Sequence, residues 1–222
     1  MKHSRSSAEW EIRDALVTYC RASMPTGRIV HELNTSGQGS CRADLAVIEP
    51  DYLTLFEIKS QKDTLKRLPE QSKAFEACSH EFIICAHTKH FIFEETEHYT
   101  CPVKRLNADG FAWRDDHVWE YPEPPKYTGL GDFRWKLRRN DQWKKGRPFE
   151  PRALSMLSML WQEELVNICH AHRIAVTTRA TIPVCIKEIT WHMTGQEICK
   201  AVCRALRART FTEADAPMMV AA

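Results

Sequence analysis

The stretch from Arg42 to Asp63, RADLAVIEPDYLTLFEIKSQKD, limits what this chain can fold into more than any other. It holds two apolar extended runs joined by the turn Glu49-Pro50-Asp51-Tyr52; Asp44 opens the first run and the triplet Glu57-Ile58-Lys59 closes the second. Proline and aspartate in so short a connection set a tight turn, so the runs pair as neighbouring strands of one hairpin. Side chains alternate along an extended chain. Glu57 and Lys59 therefore share one face, while Phe56 and Ile58 take the other. Burying unpaired charge is costly, so the ionic groups neutralise one another, hold a metal or line a wet rim. Each of these readings gathers them in one site.

The flanking segments fit an alternation of helix and strand. Ser7 caps a helix with Trp10, Ala15, Leu16, Tyr19 and Cys20 near helical spacing, ending at Met24-Pro25. Glu11, in its first turn, serves either the helix dipole or the site rim. Thr26-Gly27 turns the chain into a strand from Arg28, with Ile29, His31 and Leu33 on one face and Val30 and Glu32 on the other. A polar loop, Asn34 to Ser40, follows and suits a position over the site. Beyond Lys59, Asp63 is the expected cap of a helix with Leu65, Leu68, Phe75 and Cys78 on its apolar stripe. A buried strand from His80 to Ala86 comes next, then a short acidic helix from Lys89 to Glu97, then short strands at 103–106, 111–114 and 118–121 that extend the sheet.

Asp44 followed thirteen residues on by Glu57-x-Lys59, with Glu32 on an earlier apolar run and Glu11 in the preceding helix, resembles the signature of the PD-(D/E)XK nuclease superfamily. Gln71-x-x-x-Phe75 is similar to the Gln-x-x-x-Tyr element of its RecB-like branch, with phenylalanine in place of tyrosine; Ala43 stands where the family has proline. The resemblance covers roughly the first half of the chain and extends to small bacterial or phage nucleases with a helical tail. It implies an α/β, restriction-endonuclease-like core, a mixed central sheet flanked by helices. It further implies a Mg²⁺ (or Mn²⁺) ion held by Asp44, Glu57 and the Ile58 carbonyl, with Glu32 as an outer or second-metal carboxylate. Lys59 would then orient or deprotonate the attacking water, and Gln71 would contact that water or the phosphate. The function so implied is hydrolysis of DNA phosphodiester bonds. The competing reading is a non-catalytic DNA-binding or assembly protein on the same fold, because fold resemblance does not determine function; a third is an interaction domain in which the E-x-K spacing is accidental.

Net charge is only +2, so affinity for a polyanion must come from local clusters. Arg42, Lys62 and Lys66 border the acidic residues. A second cluster, Arg138, Arg139, Lys144 and Lys145, lies in a proline-rich segment, 122–151, without sustained periodicity, where Tyr127, Phe133, Trp135 and Trp143 are interleaved. Basic groups there neutralise phosphates while aromatic faces stack on bases; alternatively the aromatics simply pin the segment to the domain. The chain thus divides into a core over 1–121, a basic aromatic linker over 122–151 and a helical region over 152–222. In the last, Leu154, Leu157, Leu160, Trp161, Leu165 and Ile168 form one stripe, and helices near 183–192 and 196–209 complete a small bundle. Nine cysteines without a CxxC pair, Cys185, Cys199 and Cys203 among them, read as small buried hydrophobes rather than metal ligands. The absence of an apolar leader and of any membrane-length run indicates a reduced, cytoplasmic protein with no membrane partner. Oligomeric state is unknown at this level.

Overall fold

The computed structural model describes residues 7–35, 41–94, 103–108, 118–122 and 151–218. Helix α1 (Ser7–Ser23) buries Ile12, Leu16 and Cys20 at helical spacing, and Arg13 with them. Trp10, expected on that stripe, is 43 % exposed. The chain then turns at Gly27, where a Cβ would lie 2.3 Å from Val47 Cγ1; only glycine allows so close an approach of turn and sheet. Strands β1 (Arg28–Asn34), β2 (Arg42–Ile48) and β3 (Leu53–Lys59) follow as an antiparallel meander. The turn at 49–52 is closed by Glu49 N–H donating to Tyr52 O at 2.9 Å.

Helix α2 (Leu68–Cys78) carries the chain over to β4 (Glu81–His87), which pairs parallel to β3. Asp63 does not cap α2. Its carboxylate accepts from Ser60 N and Oγ (2.7 and 2.6 Å), folding the turn that follows Lys59, and α2 begins after Arg67 with Pro69 in its first turn. A bulky ring without an N–H is at home there. The acidic helix expected over 89–97 is instead a 3-10 turn (Thr88–His90) running into β5 (Phe91–Glu94). The apolar, β-branched and aromatic run Phe91-Ile-Phe favours a strand, here paired antiparallel with β6 (Val103–Leu106) in a separate two-stranded sheet. Of the three short strands expected to extend the sheet beyond 103, β7 (Val118–Tyr121) does so, β6 forms but pairs with β5 instead of joining the main sheet, and 111–114 lies outside the described residues. β7 adds parallel to β4, so the main sheet is mixed, in the order β1-β2-β3-β4-β7.

The sheet separates two apolar layers. On one side α1 covers Leu45, Val47, Phe56, Ile58, Ile83, Cys85 and Trp119. On the other, Val30, Leu55, Phe75 and Ile84 belong to the same core as Leu165, Cys185, Val202 and Leu206. The helices after residue 151 therefore share a core with the sheet. The stripe over 154–168 predicts one helix, but two form, α3 (Ala153–Leu157) and α4 (Gln162–Ala171). Trp161 N–H donates to Glu164 Oε2 at 2.7 Å, starting a fresh helix at that point. α5 (Ile182–His192) and α6 (Gly195–Ala208) match expectation, with Thr194 and Glu197 forming reciprocal caps on α6.

Buried arginines lock these helices to the sheet. Arg28 donates to Leu206 O, Arg207 O and Arg209 O at 2.7–2.9 Å and to Asp215 O, satisfying carbonyls at the C-terminus of α6. Arg207 reaches Thr26 O and Ile48 O, and Arg209 pairs with Glu164. Arg28→Met should lower the unfolding free energy by roughly 3 kcal/mol or more, since each buried acceptor left unsatisfied costs about 1–3 kcal/mol; urea unfolding measures it. No helix among the described residues is long and apolar enough to cross a membrane.

Candidate functional site

The acidic residues meet at one end of the sheet because of where its ladder breaks. Pairing between β2 and β3 runs from Ile48↔Leu53 to Leu45↔Phe56 and stops there. The next pair in register is Asp44 with Glu57, so the strands diverge at these two residues. Asp44 fills the gap: its Oδ2 accepts from Ile58 N–H at 2.7 Å, a bond that the ladder no longer supplies. β3 is also where the sheet changes from antiparallel to parallel pairing. Carboxyl ends of strands at a switch in sheet topology are where α/β sheets place ligand sites, and Glu57 and Lys59 lie at that end of β3.

Glu57 and Lys59 lie on one face as their spacing requires, with Phe56 and Ile58 in the α1 layer. Glu57 is 3 % exposed and Lys59 and Gln71 are 8 % exposed each. They form a closed triangle: Lys59 Nζ donates to Glu57 Oε1 at 2.6 Å and to Gln71 Oε1 at 3.1 Å, and Gln71 Nε2 donates to Glu57 Oε1 at 2.6 Å. α2 brings Gln71 there by setting it one turn before Phe75, whose ring packs on Phe82 in the core. The other oxygen of Glu57, Oε2, is buried and has no hydrogen-bond partner.

Burial pushes the Glu57 carboxyl above its usual range, opposed by the charge and hydrogen bond of Lys59. Asp44 is raised to about 8 by burial and then by the charge of Glu57, against the pull of the Ile58 N–H and Arg13. The Asp44 side chain keeps 23 % exposure, so it is partly open to solvent although largely surrounded by protein. A carboxyl raised by burial and by a neighbouring carboxylate is the pattern of a functional site.

Glu32 reaches the site by a local reversal. It has a φ of 57°, the left-handed region that non-glycine residues rarely adopt. The predicted alternation holds for Ile29 and Val30 but breaks beyond it: Leu33 joins Val30 in the core on the α2 side. Both oxygens of Glu32 face guanidinium groups, Oε1 with Arg13 at 3.4 Å and Oε2 with Arg42 at 2.6 Å. Arg42, expected at a phosphate, is thus half-exposed and paired with Glu32. Ile58 presents its N–H to Asp44; that is the contact seen, where the resemblance implies its carbonyl. Lys62, Lys66, Arg67 and Lys73 are exposed, on the turn before α2 and on α2 itself. Arg138, Arg139, Lys144 and Lys145 lie outside the described residues.

Three groups here were missed in the sequence. Glu11 is exposed on α1, and the helix instead presents Glu9 and Arg13, with Arg13 Nη2 to Glu9 Oε1 at 2.7 Å. The signal was present, since Glu9 and Arg13 are four apart and Arg13 lies beside Ile12 on the same buried stripe as Leu16. Glu120 on β7 is buried, and the register Lys59↔Ala86↔Glu120 puts it in the row of Lys59. Nothing in the short strand alone marked it.

Residues 2–97 match the family model described as Bacteriophage P4 protein cII. This is less than half of the 222 residues, but it spans α1 to β4 and every site residue from Glu9 to Gln71. No curated protein and no solved structure matches the chain.

Among the described residues, no group of three or more His, Cys, Asp or Glu converges as a ready ligand set. The oxygens present nevertheless suit a hard divalent cation: the Asp44 carboxyl and the unpartnered Glu57 Oε2 are oxygen donors at the end of the β2–β3 ladder, which a bound cation would hold ionised.

Proposed function

We propose that this chain is a metal-dependent DNA nuclease of the PD-(D/E)XK type, with a restriction-endonuclease-like core. The observation that carries the reading is the convergence of Asp44, Glu57, Lys59 and Gln71 at the divergence of β2 and β3, with Glu57 Oε2 buried and unpartnered. The element order helix, three antiparallel strands, helix, parallel strand, and the mixed sheet it builds, support the same reading.

Asp44 and Glu57 would hold the ion, and Glu32 stands behind Asp44. A divalent cation so held supplies charge neutralisation at a scissile phosphate and a more acidic bound water. Lys59, on the Glu57 face, would orient that water or, once it has given up its own proton, accept one from it. Gln71 holds Lys59 and Glu57 in register through its two amide atoms. The exposed Lys62, Lys66, Arg67 and Lys73 form a cationic rim for the phosphate backbone. The match of residues 2–97 to the model of a bacteriophage P4 protein supports the phage connection of this reading and is silent on the substrate.

One observation favours the second reading, a non-catalytic DNA-binding or assembly protein: Lys59 is closed into its triangle with Glu57 and Gln71, as a structural ion pair would be. Incubating supercoiled and linear DNA with the protein and Mg²⁺ or Mn²⁺, beside Asp44→Ala, decides between them. Nicked or shortened DNA with wild type alone is the expected result. DNA binding without cleavage, unchanged by the substitution, would establish the second reading.

A further inference from the structure

Arg13 is fully buried, and its guanidinium is surrounded by the site's acids. Nη2 lies 2.7 Å from Glu9 Oε1, 3.4 Å from Glu32 Oε1 and 3.9 Å from Asp44 Oδ1. Nη1 donates to the backbone oxygen of Asp44 and lies 3.2 Å from His31 Nδ1. Three carboxylates from three elements, α1, β1 and β2, thus share one cation. Carboxyls gathered around one point need a compensating cation or protonation, and arginine carries its charge permanently.

We infer that Arg13 is a built-in cation occupying the position a second metal ion would take, so that the site accepts one divalent ion, on the Asp44–Glu57 side. Resting on the cation-site reading above, this goes beyond it by assigning the metal number and removing Glu32 from the ligands. The geometry of Glu32 says the same from the other direction. Arg13 engages one of its oxygens and Arg42 the other, so its charge is spent on two guanidinium groups rather than on a metal. Arg13 is on this view a positioning residue: it touches no reacting atom, holds the Asp44 main chain and Glu32 in place, and sets the charge of the cleft.

The test is Mn²⁺ titration of the whole chain, read by loss of the free-ion electron paramagnetic resonance signal, with circular dichroism as the check on folding. Wild type should bind one Mn²⁺, as should Arg13→Lys. Arg13→Met, which frees Glu9, Glu32 and Asp44 from their shared cation, should bind two. Glu32→Gln in an otherwise unchanged chain should leave the stoichiometry at one and the affinity within about threefold, whereas loss of a direct ligand weakens binding tenfold or more, about 1.4 kcal/mol. This arm decides the matter if Arg13→Met fails to fold. Two ions in wild type, a tenfold loss in Glu32→Gln, or a folded Arg13→Met that still binds one would each overturn the inference while leaving the cation site standing. Wild type that takes up no Mn²⁺ would instead remove the cation site itself, and this inference with it.

Discussion

Without divalent ions, wild-type protein should lose more stability than Asp44→Asn as pH rises from about 4 to about 8, the buried Glu57 contributing to both. The folded-state pKa of Asp44, about 8, lies above its ordinary value of 3.8. Between these values the folded chain holds a proton that the unfolded chain has released. Stability falls with pH wherever the native state binds more protons, so this residue's penalty is absent at pH 4, grows through the interval and is complete above pH 8. Asparagine has no charge to desolvate and keeps an oxygen for the Ile58 N–H. The melting temperature of Asp44→Asn relative to wild type should therefore move in the variant's favour across the interval, by at least about 4 °C given roughly 2–4 °C per kcal/mol for a chain of this size. Mg²⁺ should reverse the order. A ligand that binds only the folded state at a hundred times its dissociation constant stabilises it by about 2.7 kcal/mol, and Asp44→Asn should lose that gain together with cleavage. Parallel pH profiles for the two proteins, or cleavage by Asp44→Asn at the wild-type rate, would show that Asp44 does not bear this charge conflict or this role.

Lys59→Met should separate structure from chemistry. Lys59 is the cation that offsets the buried Glu57, so its removal leaves Glu57 in a low-dielectric site with only the Gln71 amide. Breaking a buried pair from one side costs about 3–5 kcal/mol, and the metal-free variant should melt well below wild type. The carboxylates remain, so Mg²⁺ still binds, and its stabilising effect should exceed that in wild type because the ion now supplies the charge that Glu57 lacks. Cleavage at saturating metal should nevertheless fall about a hundredfold or more, the usual size of a lost general base or charge-stabilising group. A variant with wild-type turnover and the same loss of stability would make Lys59 a structural partner of Glu57 and nothing more.

The sequence determined the frame of this site. The spacing of Asp44, Glu57 and Lys59 on two short apolar runs, the turn at 49–52 and the helix carrying Gln71 are local properties. Strand alternation and helical periodicity leave those side chains few places to go. The helices after 151 were legible for the same reason, except where Trp161 and Glu164 restart one that a continuous stripe predicts as single. Tertiary structure alone decided the charge arrangement. Nothing local indicates that Glu32 adopts a positive φ and turns towards Asp44, that the hairpin ladder ends at Leu45↔Phe56, or that Glu9 rather than Glu11 faces the cleft. An arginine ordinarily keeps its guanidinium in solvent; Arg13 on α1 and Arg28 on β1 are buried because other segments bring acids to one and helix-end carbonyls to the other. Periodicity states which face a residue occupies. Whether a charge on that face can remain depends on partners brought together from elsewhere in the chain, and only the packed structure supplies them.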